Sequence, residues 1–116
     1  MGAPYRAHFL RQEREFASVF DTGGKAFVEG FMLVSAPGSG PCPRLGVVAN
    51  RKRGKAHDRN AFRRRAKGWF WRNRETIRPA TDFVLVATLT VKDQPRQTLY
   101  RRLEELFRKS GALGKS

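Results

Sequence analysis

The spacing of apolar residues along the chain predicts three helices and three strands, in the order α-β-β-α-β-α. The first helix is expected over residues 11–21, where Phe16, Val19 and Phe20 fall at positions i, i+3 and i+4 and so share one face. The last helix is expected over residues 97–111. Its apolar stripe consists of Leu99, Leu103, Leu106 and Phe107.

Three apolar runs predict the strands. The first extends from Ala26 to Ala36, the second covers residues 44–50, and the third covers residues 82–91 and is expected to be central. A loop rich in Pro and Gly, residues 37–43, separates the first two. Because the second and third strands flank a helix, they are expected to be parallel strands of a β-α-β unit, whose crossover is right-handed in about 98% of cases.

The middle helix is expected to begin at Arg59, with Asp58 as its N-terminal cap. Its apolar stripe consists of Phe62, Ala66, Trp69 and Phe70. The adjacent face is basic and consists of Asn60, Arg63, Arg64, Lys67 and Trp71. A single mixed sheet with helices packed on it is an α+β fold, here an α/β sandwich.

The length of 116 residues indicates one domain covering residues 1–116, with residues 1–10 as an extended arm and residues 112–116 as a tail. No apolar run reaches the length of about 18 residues that a membrane-spanning helix needs. The N-terminal residues lack the apolar segment of a secretory signal. A single cysteine, Cys42, leaves no internal disulfide to form, so a cytoplasmic protein is expected.

Positive charge is concentrated in one stretch. Residues 51–74 contain eleven of the chain's 24 Lys and Arg residues and one acid, and they therefore carry +10 of the net charge of +14. Charged helix residues usually form a solvated face, but Arg63, Arg64 and Lys67 have no acid three or four positions away to pair with. Such a density of cations indicates a polyanionic partner. Nucleic acid fits better than a membrane, because the apolar stripe of the same helix is needed for the core.

The aromatic residues give a second signal. Phe16 and Phe20 on the first helix, with Phe27 and Phe31 on the first strand, could each be a core residue. Together they exceed what one face of a small sheet needs. Aromatic side chains beside basic ones are typical of surfaces on which the bases of single-stranded nucleic acid stack.

Residues suited to catalysis are sparse. The ten acids are scattered, and neither a metal-binding motif nor a phosphate-binding loop occurs, so no metal site is expected in the protein itself. His57 beside Asp58 could form an acid–base pair, but neighbouring residues at the start of a helix point in different directions. The residues alone therefore predict an RNA- or DNA-binding protein rather than a self-sufficient enzyme.

The segment RLGVVANRKRGKAHDRNAFRRRAKGWF resembles the signature of the bacterial ribonuclease P protein subunit. The shared features are Leu45–Gly46 at the end of a strand, Gly54–Lys55–Ala56 in a basic loop and Arg59–Asn60 in a basic helix. The Phe-x-x-x-Phe of the first helix, the Asp-Phe-Val strand that begins at Asp82 and the closing LFRKSG also agree in order. The resemblance covers about residues 9–111.

The chain departs from the family pattern at several positions. Ala61 stands where the third residue of an Arg-Asn-Arg motif is expected, which removes one RNA contact. Most of the family has an acid near Gly68 and an Arg near Trp71, so stacking by Trp71 could replace a salt link. Val34 occupies a position where an aromatic residue is common, which weakens one stacking site.

The resemblance implies that the protein assists a catalytic RNA subunit, which, with Mg²⁺ held mainly by the RNA, hydrolyses a phosphodiester to remove the 5′ leader of precursor tRNA. It implies no catalytic residue in the protein and no further protein partner. The family's β-α-β crossover is left-handed, against the base rate. The leader is expected in a cleft between the first helix and the sheet.

The resemblance also implies two sets of binding residues. The set for the RNA subunit consists of Arg51, Lys52, Arg53, Lys55, Arg59, Asn60, Arg63, Arg64, Lys67 and Trp71. The set for the leader consists of Phe16, Phe20, Phe31, Val34, Arg51 and Lys52. Two other functions stay open from the sequence: a structural RNA-binding protein of the ribosomal type, which needs no leader cleft, and a stand-alone nuclease, which the scattered carboxylates disfavour.

Overall fold

A computed structural model of the chain describes residues 4–92 and 95–113. Apolar alternation and helical spacing produce a four-stranded sheet with helices on both faces. The main elements are α1 (Glu13–Thr22), β1 (Gly24–Val28), β2 (Phe31–Pro37), β3 (Arg44–Val48), α2 (Ala56–Arg72), β4 (Thr81–Ala87) and α3 (Arg96–Lys109).

The strand order in the sheet is β1-β2-β4-β3. β4 is central, as predicted, and pairs antiparallel with β2 and parallel with β3. The β3-α2-β4 unit therefore confirms the predicted β-α-β arrangement with a parallel pair, whereas the hand of its crossover stays a prediction. The predicted first strand is in fact a hairpin of two strands, because the chain turns at Glu29 and Gly30, where Gly30 takes φ of 89°. The sheet thus has one strand more than expected.

The larger core lies between the sheet and the helices α2 and α3. Phe31 and Leu33 of β2 and Phe83 and Leu85 of β4 point to this side, as the two-residue period of a strand requires. The predicted apolar stripes of both helices are confirmed as buried. They consist of Phe62, Ala66, Trp69 and Phe70 in α2 and of Leu99, Leu103, Leu106 and Phe107 in α3.

A smaller core lies on the opposite face, under α1. Val34 of β2 and Val84 of β4 are fully buried there against Val19 of α1. Phe16 packs beside them and keeps part of its ring exposed, whereas Phe20 is 38% exposed. The predicted stripe of α1 is therefore only partly used for the core.

The expected extended arm is wrong for the described residues from position 4 onward. Tyr5–His8 form a short 3₁₀ helix, and Phe9 and Leu10 are buried. The Leu10 N–H donates to the Leu45 carbonyl at 2.9 Å, so the segment covers the edge of β3 that would otherwise be unpaired. Residues 1–3 lie outside the described residues.

The expected tail is also partly fixed to the domain. Ala112 is buried, and its carbonyl accepts a hydrogen bond from the N–H of Arg78 at 2.7 Å. Leu113 forms an isolated bridge with Ile77. Residues 114–116 lie outside the described residues.

Two predicted boundaries differ by three or four residues. α2 begins at Ala56 rather than Arg59, and Asp58 makes no cap but lies in the first turn, where a carboxylate interacts favourably with the helix dipole. β4 ends at Ala87 rather than at residue 91. Val91 leaves the sheet because its N–H donates to the Arg53 carbonyl at 2.7 Å, which ties this segment to the basic loop.

Candidate nucleic-acid interface

The basic loop between β3 and α2 is held in a defined shape. Arg51–Arg53 form a 3₁₀ turn, and the side chain of Asn50 caps it by accepting from the Lys52 N–H at 3.1 Å. Gly54 follows with φ of 127°, a conformation that favours glycine. A β-carbon there would also lie 2.8 Å from the Val91 carbonyl oxygen. The loop therefore presents its cations in a fixed arrangement.

Two arginines of α2 stabilise this loop from below. Arg63 donates through Nη2 to the Ala49 carbonyl at 2.7 Å, and Arg59 donates through Nε to the Gly54 carbonyl at 3.0 Å. Both side chains are partly buried. Their guanidinium groups therefore satisfy the chain's own backbone and keep only part of their donors for a ligand.

Other members of the predicted RNA-binding set point to solvent. The exposed residues are Arg51, Lys52, Lys55, Asn60 and Arg64. Lys67 is half-buried, with its Nζ 5.6 Å from the centre of the Phe9 ring. Arg53 is half-buried as well, and its Nε has no hydrogen-bond partner among the described residues. The structure thus brings the predicted set onto one surface, formed by the basic loop and one side of α2, and we call this surface the basic face.

Trp71 lies at the end of the basic face and already stacks within the protein. The guanidinium carbon of Arg74 lies 3.7 Å from the centre of its ring, and the rings of Tyr5 and His8 meet it at 5.1 and 5.3 Å. The predicted stacking of Trp71 therefore has an internal partner on one side. Sequence reasoning missed Tyr5, because no helical spacing connects it to α2. It also missed Arg74, which lies beyond the end of α2 at Arg72.

Partly exposed apolar side chains lie beside α1 on the other side of the sheet. Phe16 sits directly over Gly46 of β3, where a β-carbon would lie 2.5 Å from the ring atom Cζ of Phe16. Beyond α1, the half-buried side chains of Met32, Val48 and Val86 form an apolar floor. We call this surface, with Phe16 and Phe20, the α1 groove.

Two residues predicted for the leader site do not line this groove. Phe31 is buried in the larger core, where its ring stacks on that of Phe62 at 5.4 Å and 12°. Val34 is on the groove side but is fully buried beneath α1. Sequence reasoning missed Met32, Val48 and Val86, although the alternation of β2 from buried Phe31 and Leu33 could have indicated that Met32 points to the opposite face.

The α1 groove meets the basic face at the end of β3. Val48 is the last residue of this strand, and Asn50 begins the turn that carries Arg51 and Lys52. An extended polyanion with unstacked bases can therefore contact cations and apolar surface together.

An ion-pair network fixes the start of α1 above the sheet. Arg44 donates from Nε and Nη2 to both carboxylate oxygens of Asp82, at 2.9 and 2.8 Å, and from Nη1 to Glu15 at 2.9 Å. The hydrogen bonds with Asp82 are the main reason that the pKa of Arg44 is raised. The pKa of Glu15 is lowered, first by hydrogen bonds from the N–H groups of Gln12 and Arg11 and then by Arg44.

The described residues provide no other site of obvious chemistry. Within residues 4–92 and 95–113, no three His, Cys, Asp or Glu side chains form a group that could hold a metal ion. None of the described helices is both long and apolar enough to cross a bilayer. His57 is exposed, and it shares the first turn of α2 with Asp58.

Comparisons with known proteins agree in sequence and in fold. The family model described as Ribonuclease P matches residues 5–111. A ribonuclease P protein component from Azoarcus sp. is 36% identical over 102 residues, which cover 87% of this chain and 84% of that protein. Another from Maridesulfovibrio salexigens is 35% identical over 83 residues, which cover 70% of this chain and 67% of that protein.

Solved structures are similar over nearly their whole length. The ribonuclease P protein of Thermotoga maritima has a TM-score of 0.76 at 29% identity, covering 85% of this chain and 94% of that one. That of Staphylococcus aureus has a TM-score of 0.85 at 19% identity, covering 92% and 98%, which bears on the fold alone and confirms the α+β class. The chain therefore belongs to the ribonuclease P protein family, as its basic loop and helix indicated.

Proposed function

We propose that the chain is the protein component of a ribonucleoprotein endoribonuclease that removes the 5′ leader of precursor tRNA. Family membership supports a role in ribonuclease P. The observation that carries the finer proposal is the junction of two unlike surfaces, the basic face and the α1 groove, at the end of β3. A purely structural RNA-binding protein needs the first surface but not the second.

The basic face binds the catalytic RNA subunit in this proposal. Exposed Arg and Lys neutralise phosphates and release counterions, which gives affinity without base sequence preference. The side chains placed to do this are Arg51, Lys52, Lys55, Arg64 and Lys67. Arg59 and Arg63 act mainly by holding the loop in shape, since they hydrogen-bond to backbone carbonyls.

The α1 groove holds the leader in this proposal. Its apolar floor and the exposed ring of Phe20 suit unstacked bases, because every base has a face that can stack on an aromatic ring. Arg51 and Lys52 lie where the groove opens and can contact the leader's phosphates. Phe31 and Val34 have no direct role, because both are buried.

Hydrolysis of the phosphodiester belongs to the RNA subunit in this proposal, with Mg²⁺ bound mainly there. The carboxylates of Glu15 and Asp82 are both engaged by Arg44. The protein positions RNA and needs no other protein partner. It acts in the cytoplasm, where precursor tRNA would be its substrate.

The test compares holoenzyme reconstituted with Phe20→Ala and with Phe16→Ala. Phe20 is 38% exposed, so its removal should leave folding intact and weaken precursor tRNA binding by about 1 kcal/mol, the lower end for one stacked base. Mature tRNA has no leader, and its affinity should not change. Phe16 is partly buried, so its variant should lose both stability and precursor affinity.

Melting temperature and both affinities are measured on the same preparations. An equal loss for precursor and mature tRNA in folded Phe20→Ala would refute the leader groove and favour a structural RNA-binding protein. Cleavage of precursor tRNA by protein rigorously freed of RNA would instead favour a stand-alone nuclease.

A further inference from the structure

Phe27 on β1 is 56% exposed, the highest value among the large apolar side chains of the described residues. Its neighbours Ala26 and Val28 point to the larger core and pack against it. Phe27 therefore points to the opposite face of the sheet, the face that α1 partly covers. No core contact accounts for an aromatic ring at this position.

The strand register puts Phe27 in line with the floor of the α1 groove. Phe27 pairs with Met32, Met32 pairs with Val86, and Val86 pairs with Val48. Residues paired in this way share a face and lie side by side. They form one apolar row across all four strands, about 14 Å long at the usual spacing between strands.

α1 covers the neighbouring row and leaves this one open. The next paired positions on the same face are Lys25, Val34, Val84 and Gly46. Val34 and Val84 are fully buried under α1, and Gly46 lies under Phe16. Met32, Val48 and Val86 are only half-buried, so the open row continues from the basic loop at Val48 to Phe27 at the edge of the sheet.

We propose that Phe27 is a second base-stacking position at the far end of the α1 groove, and that Lys25 contacts the phosphate of the nucleotide held there. This inference rests on the proposed function and assigns the occupant as the distal part of the same single-stranded leader. Continuity with the groove supports this occupant, and so does charge, because exposed Lys25 lies on the same face two residues from Phe27.

The position of Phe27 has a consequence for substrate choice. A short leader held near the basic loop and Phe16 does not reach the β1 edge, whereas a longer one crosses the row and does. The protein should therefore bind precursors more tightly once the leader exceeds a threshold length, and Phe27 should set that threshold.

The experiment uses holoenzyme and precursor tRNAs whose leaders are lengthened one nucleotide at a time. Phe27→Ala should bind short-leader precursors like the wild type and lose about fivefold in affinity above the threshold, the lower end for one stacked base. Phe27→Tyr, which keeps an aromatic ring, should restore the tighter binding of long-leader precursors. Lys25→Ala should lower the salt dependence only for long leaders, by about 0.7 in slope for one single-strand phosphate contact. Leu89→Ala removes a side chain that is 54% exposed outside the row and should change nothing.

The outcomes separate this proposal from the one on which it rests. If Phe20→Ala weakens precursor binding but Phe27→Ala does not at any leader length, the second position is refuted and the groove stands. If neither variant weakens the binding of precursor tRNA more than that of mature tRNA, the groove itself is refuted. If light scattering shows that Phe27→Ala converts a dimer to a monomer with no effect of leader length, the exposed ring is a contact between copies and the proposal fails.

Discussion

On the α2 side of the molecule, charge is dense and local, whereas on the α1 side the groove depends on contacts between residues far apart in the sequence. The basic face comes from one continuous stretch, a loop and the helix that follows it. The α1 groove combines a helix with side chains from three strands, β2, β3 and β4. Loss of one exposed cation removes one phosphate contact from the first surface, while the second depends on how closely α1 approaches the sheet.

The basic face also contains two classes of arginine that look alike in the sequence. Arg63 and Arg64 are neighbours on the same helix. Arg63 donates to the carbonyl of Ala49, while Arg64 is exposed. The comparison therefore predicts that substitutions at buried positions on the α1 side act through packing, and that those on the α2 side divide between stability and affinity.

The largest effect is expected from Gly46→Val. The new side chain would occupy the space of the Phe16 ring, so α1 or its phenylalanine must move. We expect a loss of about 3 kcal/mol in the free energy of unfolding, the upper end for overpacking, and a loss of precursor affinity with mature tRNA affinity retained in the folded fraction. Denaturant titration and binding of both tRNAs check this.

Gly24→Val is the matched control for that change. Gly24 also lies in a strand, but a β-carbon there meets nothing within 4 Å. It should leave stability within about 0.5 kcal/mol, as is usual for surface substitutions. Equal destabilisation by the two variants would contradict the view that Gly46 leaves the room that the Phe16 ring needs.

A smaller effect, but a cleaner separation, is expected from Arg63→Ala and Arg64→Ala. Removing the charged hydrogen bond of Arg63 should lower the free energy of unfolding by about 2 kcal/mol. Arg64→Ala should leave stability unchanged and lower the salt slope of RNA-subunit binding by about 0.7–0.9, the value for one phosphate contact. Thermal melts and binding at several salt concentrations measure both. Unchanged salt dependence for Arg64→Ala would remove this residue from the interface.

The difference between the two surfaces also explains which features of the fold and site could be predicted from the sequence. The buried stripes of α2 and α3 and the central β4 follow from local periodicity, and the structure confirms them. The concentration of charge located the basic face. It could not show that Arg59 and Arg63 bind backbone carbonyls, because those carbonyls belong to a loop whose shape depends on Val91.

The α1 groove was harder to predict, because a face of a strand is assigned only when the register is known. Phe31 was expected to contact the leader, but the turn at Gly30 starts a new strand in which Phe31 points to the larger core. Met32 was not predicted for the leader site, although the same register puts it in the groove. The burial of Val34 depends on α1 crossing above it, which no local pattern encodes.

The smallest effect concerns Glu15, which connects α1 to the sheet through Arg44. Its pKa is lowered in the folded state from an ordinary value of 4.5, so its ionised form stabilises the fold at neutral pH. This contribution is complete above the unfolded-state pKa and is lost as the pH falls through the lower folded-state value.

Glu15→Gln should lower the free energy of unfolding by about 1 kcal/mol at pH 7, a typical value for a charged partner in a partly exposed network. The difference from wild type should shrink below about pH 4, because the wild-type carboxylate becomes protonated. Glu13→Gln, on the same first turn but exposed, is the control and should show little change at either pH. Denaturant titrations across this pH range measure the difference, and a gap between Glu15→Gln and wild type that stays constant down to acid pH would show that the charge of Glu15 does not hold α1 in place.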